Sequence, residues 1–345
     1  MRVLVTGHDG YIGTVLAPLL QGAGHDVVGM DTFLYADGTF GPQRPALPSV
    51  RRDLRDVTAD DLVGIDAVIH LAAISNDPVG DLDADITYDV NHRATVRLAR
   101  AARDAGVQRF LFSSSCSLYG AAAGDDALTE TADFNPVTPY GHSKVLAEQD
   151  LSKLADDTFC PVFLRNATAY GVSPRLRTDI VVNDLTGHAM VDGAVLIKSD
   201  GTPWRPLVHV EDIARAFIAL LDAPTDTIHN EPFNVGRSGE NYQIREIADM
   251  VAEAVPDSSI TYAEGGGPDT RSYRVDFSKI AERVPGFQPA WTVAKGVREL
   301  VDAYAREGLG AEDFAGARYT RIGTIKRLQA AGRLGTDLRF GEASA

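Results

Sequence analysis

Three glycines, Gly7, Gly10 and Gly13 in "TGHDGYIG", separate the branched apolar run "RVLV" from the amphipathic run "YIGTVLAPLLQGAG". A strand that turns at once into a helix needs such residues. The first allows the tight turn, the second lets backbone approach phosphate oxygens, and the third lets the helix pack on its strand. A ligand's negative charge then sits at the helix N-terminus, where unpaired N–H groups point. The spacing therefore predicts the start of a parallel βαβ unit with a dinucleotide-phosphate turn. "DVVGMD", "AVIHLAA" and "RFLFSSS" read as further short strands, and "VNHRATVRLARAARDAG" as a crossover helix. The fold class predicted is α/β, a doubly wound parallel sheet with a smaller C-terminal substrate lobe.

With 345 residues the chain suits one large α/β unit or two domains sharing a cleft. The reading places a dinucleotide-binding domain at 1–171, with returning segments at about 204–236. The lobe and a C-terminal tail take 172–203 and 237–345. "CPVFLRNATAYG" reads as one strand, "RSYRVDFSKI" as another leaving a loop, and the last thirty residues as a peripheral helix with a frayed end.

An apolar fraction of 44% and a charged fraction of 23% are those of an ordinary folded protein. The formal charge of -15 would repel a polyanion, so no nucleic-acid partner is expected, although local donors can still capture a small phosphorylated ligand. No run approaches the roughly 18 apolar residues of a spanning helix, so no membrane partner is expected. The start "MRVLVTGHDGYIG" lacks a signal-peptide core, and Cys116 and Cys160 are too few for a disulfide framework. A cytoplasmic location follows as an expectation. The eight histidines form no metal-ligand pattern and there is no Gly-x-Ser-x-Gly elbow, so neither a metal site nor a serine hydrolase is expected.

Asp31 closes the second strand about 20 residues past the glycines, where a carboxylate accepts from ribose hydroxyls and repels a 2′-phosphate. That favours NAD over NADP. In "TPYGHSK", Tyr140 and Lys144 stand four apart at a helix start and face the same side. An ammonium group beside a phenol, whose ordinary pKa is about 10, stabilises phenolate and suits proton exchange near neutrality.

Together with "RRDL", "HLAA", "SSSCSLYG", "WRPLVHVEDIA" and "FNVG", these motifs make the chain resemble a known family along nearly its whole length. It is similar to the extended short-chain dehydrogenase/reductases of the NAD-dependent nucleotide-sugar epimerase/dehydratase family. The resemblance implies a Rossmann fold, NAD as cofactor, a nucleoside-diphosphate sugar as substrate and a homodimer. It implies that Gly7, Gly10, Tyr11, Ile12, Gly13, Asp31, Asp53, Leu54, Leu71, Ala72, Ala73 and Ser113 hold the cofactor along with Tyr140 and Lys144. Ser115, Tyr140 and Lys144 would be catalytic: Tyr140 the proton acceptor, Ser115 the residue orienting the sugar hydroxyl, and Lys144 the residue fixing the nicotinamide ribose.

The resemblance also separates subclasses. Family dehydratases carry Asp-Glu where this chain has Cys116 and Ser117, so dehydration is not expected. Cys116 is one residue early for the cysteine of 3,5-epimerising members, and one residue on a strand reverses a side chain's direction. What remains is 4-epimerisation, with net ketoreduction or dehydrogenation, and a non-catalytic NAD-binding role, as alternatives. Ser115, Ser117, Thr168, Asn183, Arg205 and Arg271 would face the substrate. Thr168 replaces an asparagine usual in the family, which points to an atypical sugar.

Overall fold

The computed structural model describes residues 1–42, 46–75, 77–80, 82–121, 126–263 and 272–341. Seven strands form one all-parallel sheet: β1 (Arg2–Thr6), β2 (Asp26–Asp31), β3 (Ser49–Arg51), β4 (Ala67–His70), β5 (Arg109–Ser115), β6 (Cys160–Asn166) and β10 (Pro232–Val235). Their order is β10-β6-β5-β4-β1-β2-β3, so the winding reverses between β1 and β4. Both faces of the inner strands are covered, which is why these are apolar runs and not alternating ones. On one face Val15, Leu16 and Leu20 of α1 (Gly13–Gly22) pack in the same core as Ile213, Phe217 and Leu220 of the helix Val210–Asp222. The other face takes Leu98 and Ala102 of α2 (Ala94–Asp104) and Ala147 and Leu151 of α3 (Pro139–Ser152). Ligands of such sheets bind past the strand ends where the winding reverses.

The lobe has its own core. Leu185 of α4 (Val181–Asp192), Ile247 and Val251 of α6 (Ile244–Ala254), and Val297 and Leu300 of α7 (Val293–Glu307) close on Val195 and Ile197 of β8 (Ala194–Ile197). The helix Val210–Asp222, α5, carries the chain back beneath the sheet. A three-stranded sheet, β11 (Asn241–Gln243), β9 (Trp204–His209) and β7 (Thr168–Tyr170), joins lobe to sheet.

Three sequence expectations change in detail. "CPVFLRNATAYG" is two strands, because Ala167 donates its N–H to Val235 and the chain then leaves the large sheet to pair with β9 as β7. In "RSYRVDFSKI" the Asp276 carboxylate accepts from the Ser278 N–H at 2.7 Å and turns the chain into a helix, Ser278–Arg283. The final helix, α8 (Arg321–Ala330), is not peripheral. Ile325, Leu328 and Leu334 pack with Val79, Leu34 and Ile74, and Arg339 reaches the Asp56 carboxylate, which fastens the tail over the loops at the sheet's end. Among the described residues no helix is long and apolar enough to cross a membrane.

Candidate active site

A cleft of about 1590 Å³ opens past the strand ends, between sheet, lobe and tail. It is larger than a single small-molecule pocket, usually about 300–1,000 Å³, and has room for two ligands. Gly7, Gly10, Tyr11, Ile12 and Gly13 form part of its wall. Gly7 has φ +73°, and a Cβ there would lie 2.7 Å from the Ala72 nitrogen. At Gly13 a Cβ would lie 2.3 Å from the Gly7 carbonyl oxygen. The turn therefore folds back on itself and leaves no volume for a side chain at Gly7 or Gly13.

Asp31, at the end of β2, accepts from the N–H groups of Asp9 at 3.0 Å and Phe33 at 2.8 Å. Burial raises its carboxyl pKa, and those two bonds oppose the rise. Ribose hydroxyls donating here would further stabilise the charged form. Asp53 and Leu54 lie on the wall beside it. Burial would raise the Asp53 pKa, but the Arg55 fork, at 2.7 and 2.9 Å, outweighs it and holds the carboxyl below the usual range. Leu71, Ala72 and Ala73, just past β4, complete this side.

The strand-end serines divide by direction. Ser113 accepts from the Asn166 amide at 3.0 Å and lines the cleft. Ser114 also reaches the cleft wall and donates to the buried Glu148 carboxylate at 2.5 Å. Ser115, the last residue of β5, accepts from the Ser117 N–H at 3.1 Å and lines the cleft. Cys116 turns into the core, its thiol 3.1 Å from the Arg165 carbonyl oxygen and pushed well above the usual thiol range by burial. Ser117 lines the cleft with a buried hydroxyl that has no partner among the described residues.

Thr138 caps α3 by accepting from the Gly141 N–H at 3.2 Å, and Pro139 opens the helix, so Tyr140 stands in its first turn and Lys144 one turn on. Both line the cleft. The Lys144 ammonium donates to the Ser113 carbonyl at 2.7 Å, lies 4.5 Å from the Phe112 ring centre and 5.6 Å from that of Tyr140. Burial lowers its pKa to about 7, against the opposing charge of Glu148.

On the lobe side Thr168 and Arg205 line the cleft. Asn183 is brought close behind but is occupied: its amide bonds the Gly171 N–H, the Gly171 carbonyl and the Arg177 carbonyl, at 3.0, 3.2 and 2.9 Å. Arg271 lies outside the described residues. Among the residues of the cleft wall not singled out from sequence are Asn166, Tyr35, Arg177 and Arg321. Asn166 carries a buried amide oxygen without a partner among the described residues. Tyr35, Arg177 and Arg321 meet from three distant segments, and their spacing in the chain gives no sign of it. For Asn166 the only sequence cue is its place at the end of a central strand. Among the described residues no group of three or more His, Cys, Asp or Glu can hold a metal ion.

The model of the NAD dependent epimerase/dehydratase family matches residues 3–236. The chain belongs to that family. A UDP-glucose 4-epimerase of Mycolicibacterium smegmatis is 31% identical over 318 residues, covering 88% of this chain and 98% of that protein. Among solved structures, MoeE5 in complex with UDP-glucuronic acid and NAD is 29% identical with a TM-score of 0.76, over 90% of this chain and all of the other. The UDP-glucuronic acid 4-epimerase of Bacillus cereus, with UDP-glucuronic acid and NAD, is 25% identical with a TM-score of 0.75, over 89% and 99%. As a member of the epimerase/dehydratase family the protein is an enzyme of the extended short-chain dehydrogenase/reductase type, and its cofactor is NAD. The cleft fits that cofactor: a turn whose Gly7 and Gly13 leave no room for a Cβ stands at a helix N-terminus, with a carboxylate at the next strand's end.

Proposed function

We propose that this enzyme interconverts the C4 epimers of a nucleoside-diphosphate sugar through a transient 4-keto sugar. One observation carries the reading. Ser115, Tyr140 and Lys144 line a single cleft, while the two positions after Ser115 bring neither carboxylate nor thiol into it. Chemistry beyond proton and hydrogen transfer at one carbinol, such as expulsion of water, would need an acid there.

In this reading Ser115 donates its hydroxyl to the sugar O4 and orients it. Tyr140 takes the O4 proton as phenolate and later gives it back. Lys144, held by the Ser113 carbonyl, keeps positive charge near that phenolate while it is protonated. NAD, held by the glycine turn, Asp31, Tyr140 and Lys144, would supply the hydride-accepting and hydride-donating chemistry at C4. Between the two transfers the keto sugar must turn over, and the cleft volume supports that movement. Arg205 is assigned to the sugar nucleotide's diphosphate, a role suited to a guanidinium fork. The similarity to UDP-glucose 4-epimerases and to MoeE5, crystallised with UDP-glucose as well as UDP-glucuronic acid, makes a UDP-sugar the first substrate to try. A cytoplasmic homodimer belongs to the same reading, and light scattering tests the assembly.

The test is incubation with UDP-, TDP-, GDP- and CDP-sugars, followed by NMR. An epimerase yields the C4 isomer with no net NADH, and deuterium placed at C4 stays there. Net NADH, or consumption of a supplied keto sugar, would instead mark a dehydrogenase or ketoreductase. Tyr140→Phe is expected to keep NAD bound while turnover falls at least a hundredfold, about the contribution of a positioned acid/base. Undiminished turnover would reject Tyr140 as the proton acceptor, and NAD binding without turnover of any sugar would support a regulatory role.

A further inference from the structure

Where the tail crosses the cleft, two arginines share one carboxylate, one through its guanidinium and the other through its backbone N–H. Arg177, on the loop after β7, donates to Asp179 at 2.8 Å. Arg321, the first residue of α8, takes the other oxygen of Asp179 with its backbone N–H at 3.2 Å and gives its guanidinium to the Arg175 carbonyl at 3.1 Å. The Arg321 guanidinium lies 4.1 Å from the Tyr35 ring centre. Both arginines are buried, 9% and 5% exposed, and both line the cleft.

The neighbours among the described residues do not balance the charge. Arg175 and Asp9 neutralise each other at 2.7 Å, Tyr11 and Tyr35 are phenols, and Asp31 is committed to two backbone N–H groups. Among the described residues, two cations therefore face one anion in a largely buried place. Burial, and then the charge of Arg177, pull the Arg321 pKa down to about 10. A buried charge that is not fully neutralised is costly unless something supplies the counter-charge.

The position indicates the ligand. Arg175 is tied to Asp9 of the glycine turn, Tyr35 lies four residues beyond Asp31, and the Tyr11 hydroxyl donates to Gly171 on the same side. The cation pair thus overlooks the glycine turn and the end of β2 from across the cleft. We propose that Arg177 and Arg321 form a guanidinium clamp on the diphosphate of NAD, and that the C-terminal helix is thereby part of the cofactor site. The turn of α1 presents backbone donors from below, and the clamp brings charge from above. Arginine suits the task, because its planar fork matches phosphate oxygens in pairs. Packing of Ile325 and Leu328 against Val79 holds α8 in place, and Arg339 anchors the chain beyond it to Asp56.

The test uses full-length protein freed of bound nucleotide, with calorimetric titration of NAD, ADP-ribose, adenosine and UDP. Arg321→Gln is expected to weaken NAD and ADP-ribose tenfold or more, as for loss of a charge-assisted bond, and to leave adenosine and UDP within about twofold. Arg321→Lys keeps the charge without the fork and is expected to fall between wild type and Gln; it also serves if the Gln variant does not fold. Unchanged NAD affinity would overturn the proposal. So would equal weakening of NAD and adenosine, which marks a structural role, or a loss confined to UDP, which assigns the pair to the sugar nucleotide.

Discussion

Lys144 carries its ammonium group into the cleft wall, largely withdrawn from water. It is 3% exposed, with one carbonyl and two aromatic faces for company. The nearest carboxylate on its own helix, Glu148, is already held by the Arg165 fork at 2.7 and 3.1 Å and by Ser114. Desolvation therefore prevails, and the pKa falls from 10.5 to about 7. The sign of the linked stability follows. Between about pH 7 and 10.5 the unfolded chain binds a proton that the folded chain does not, so through this residue stability rises with pH across that window. Below pH 7 both states hold the proton and the penalty is at its full value. Lys144→Met is expected to remove this dependence and to stabilise the NAD-free protein near neutrality by an amount on the order of 2 kcal/mol. Urea unfolding of both proteins from pH 6 to 9.5 checks it: parallel pH curves would show that Lys144 keeps an ordinary pKa.

At the scale of elements, the turn between β1 and α1 ties sequence to site most tightly. Gly13→Ala would place a methyl group 2.3 Å from the Gly7 carbonyl oxygen and 2.5 Å from the His8 Cα, both backbone atoms that cannot swing away. The expected result is a loss of about 1–3 kcal/mol in stability and at least a hundredfold in NAD affinity, since the turn must open. At Gly22, in the last turn of the same helix, a methyl group would meet nothing within 4 Å, and Gly22→Ala is expected to stabilise by about 0.4–1 kcal/mol without touching NAD binding. Denaturation midpoints and NAD titrations of the pair separate turn geometry from helix propensity. That contrast also shows what sequence can reveal. The glycine turn, Asp31 and the Tyr140–Lys144 pair are legible because each is a local pattern, set by one turn or one helix face. Arg177 and Arg321 are not, since 144 residues of sequence separate two groups that only the packing of α8 brings together. Asn183 illustrates the converse: its place in the lobe suggests a ligand contact, but its amide is spent on the backbone of Gly171 and Arg177. "CPVFLRNATAYG" reads as one strand because both halves are apolar and branched, and only the partner strands decide that it divides at Ala167.

At the scale of the whole molecule the cleft lies where three separately packed parts meet: the sheet with its helices, the lobe, and the tail cluster around Ile325 and Leu328. A ligand bound there touches all three, so its binding energy is also docking energy for the tail. At a hundredfold excess over Kd, NAD stabilises the folded state by about 2.7 kcal/mol, several degrees in Tm. Deleting residues 321–345 removes Arg321 and exposes Val79 with its partners Leu34 and Ile74. The shortened chain is expected to melt lower without NAD, and at the same NAD concentration to recover less. A tenfold weaker Kd removes about 1.4 kcal/mol of the linked stabilisation. Thermal melts of both chains with and without NAD measure the two effects apart. An NAD-induced shift as large in the shortened chain as in the full one would place the tail outside the cofactor site. A smaller shift, with the adenosine response unchanged, would mean that the tail holds the cofactor at its diphosphate.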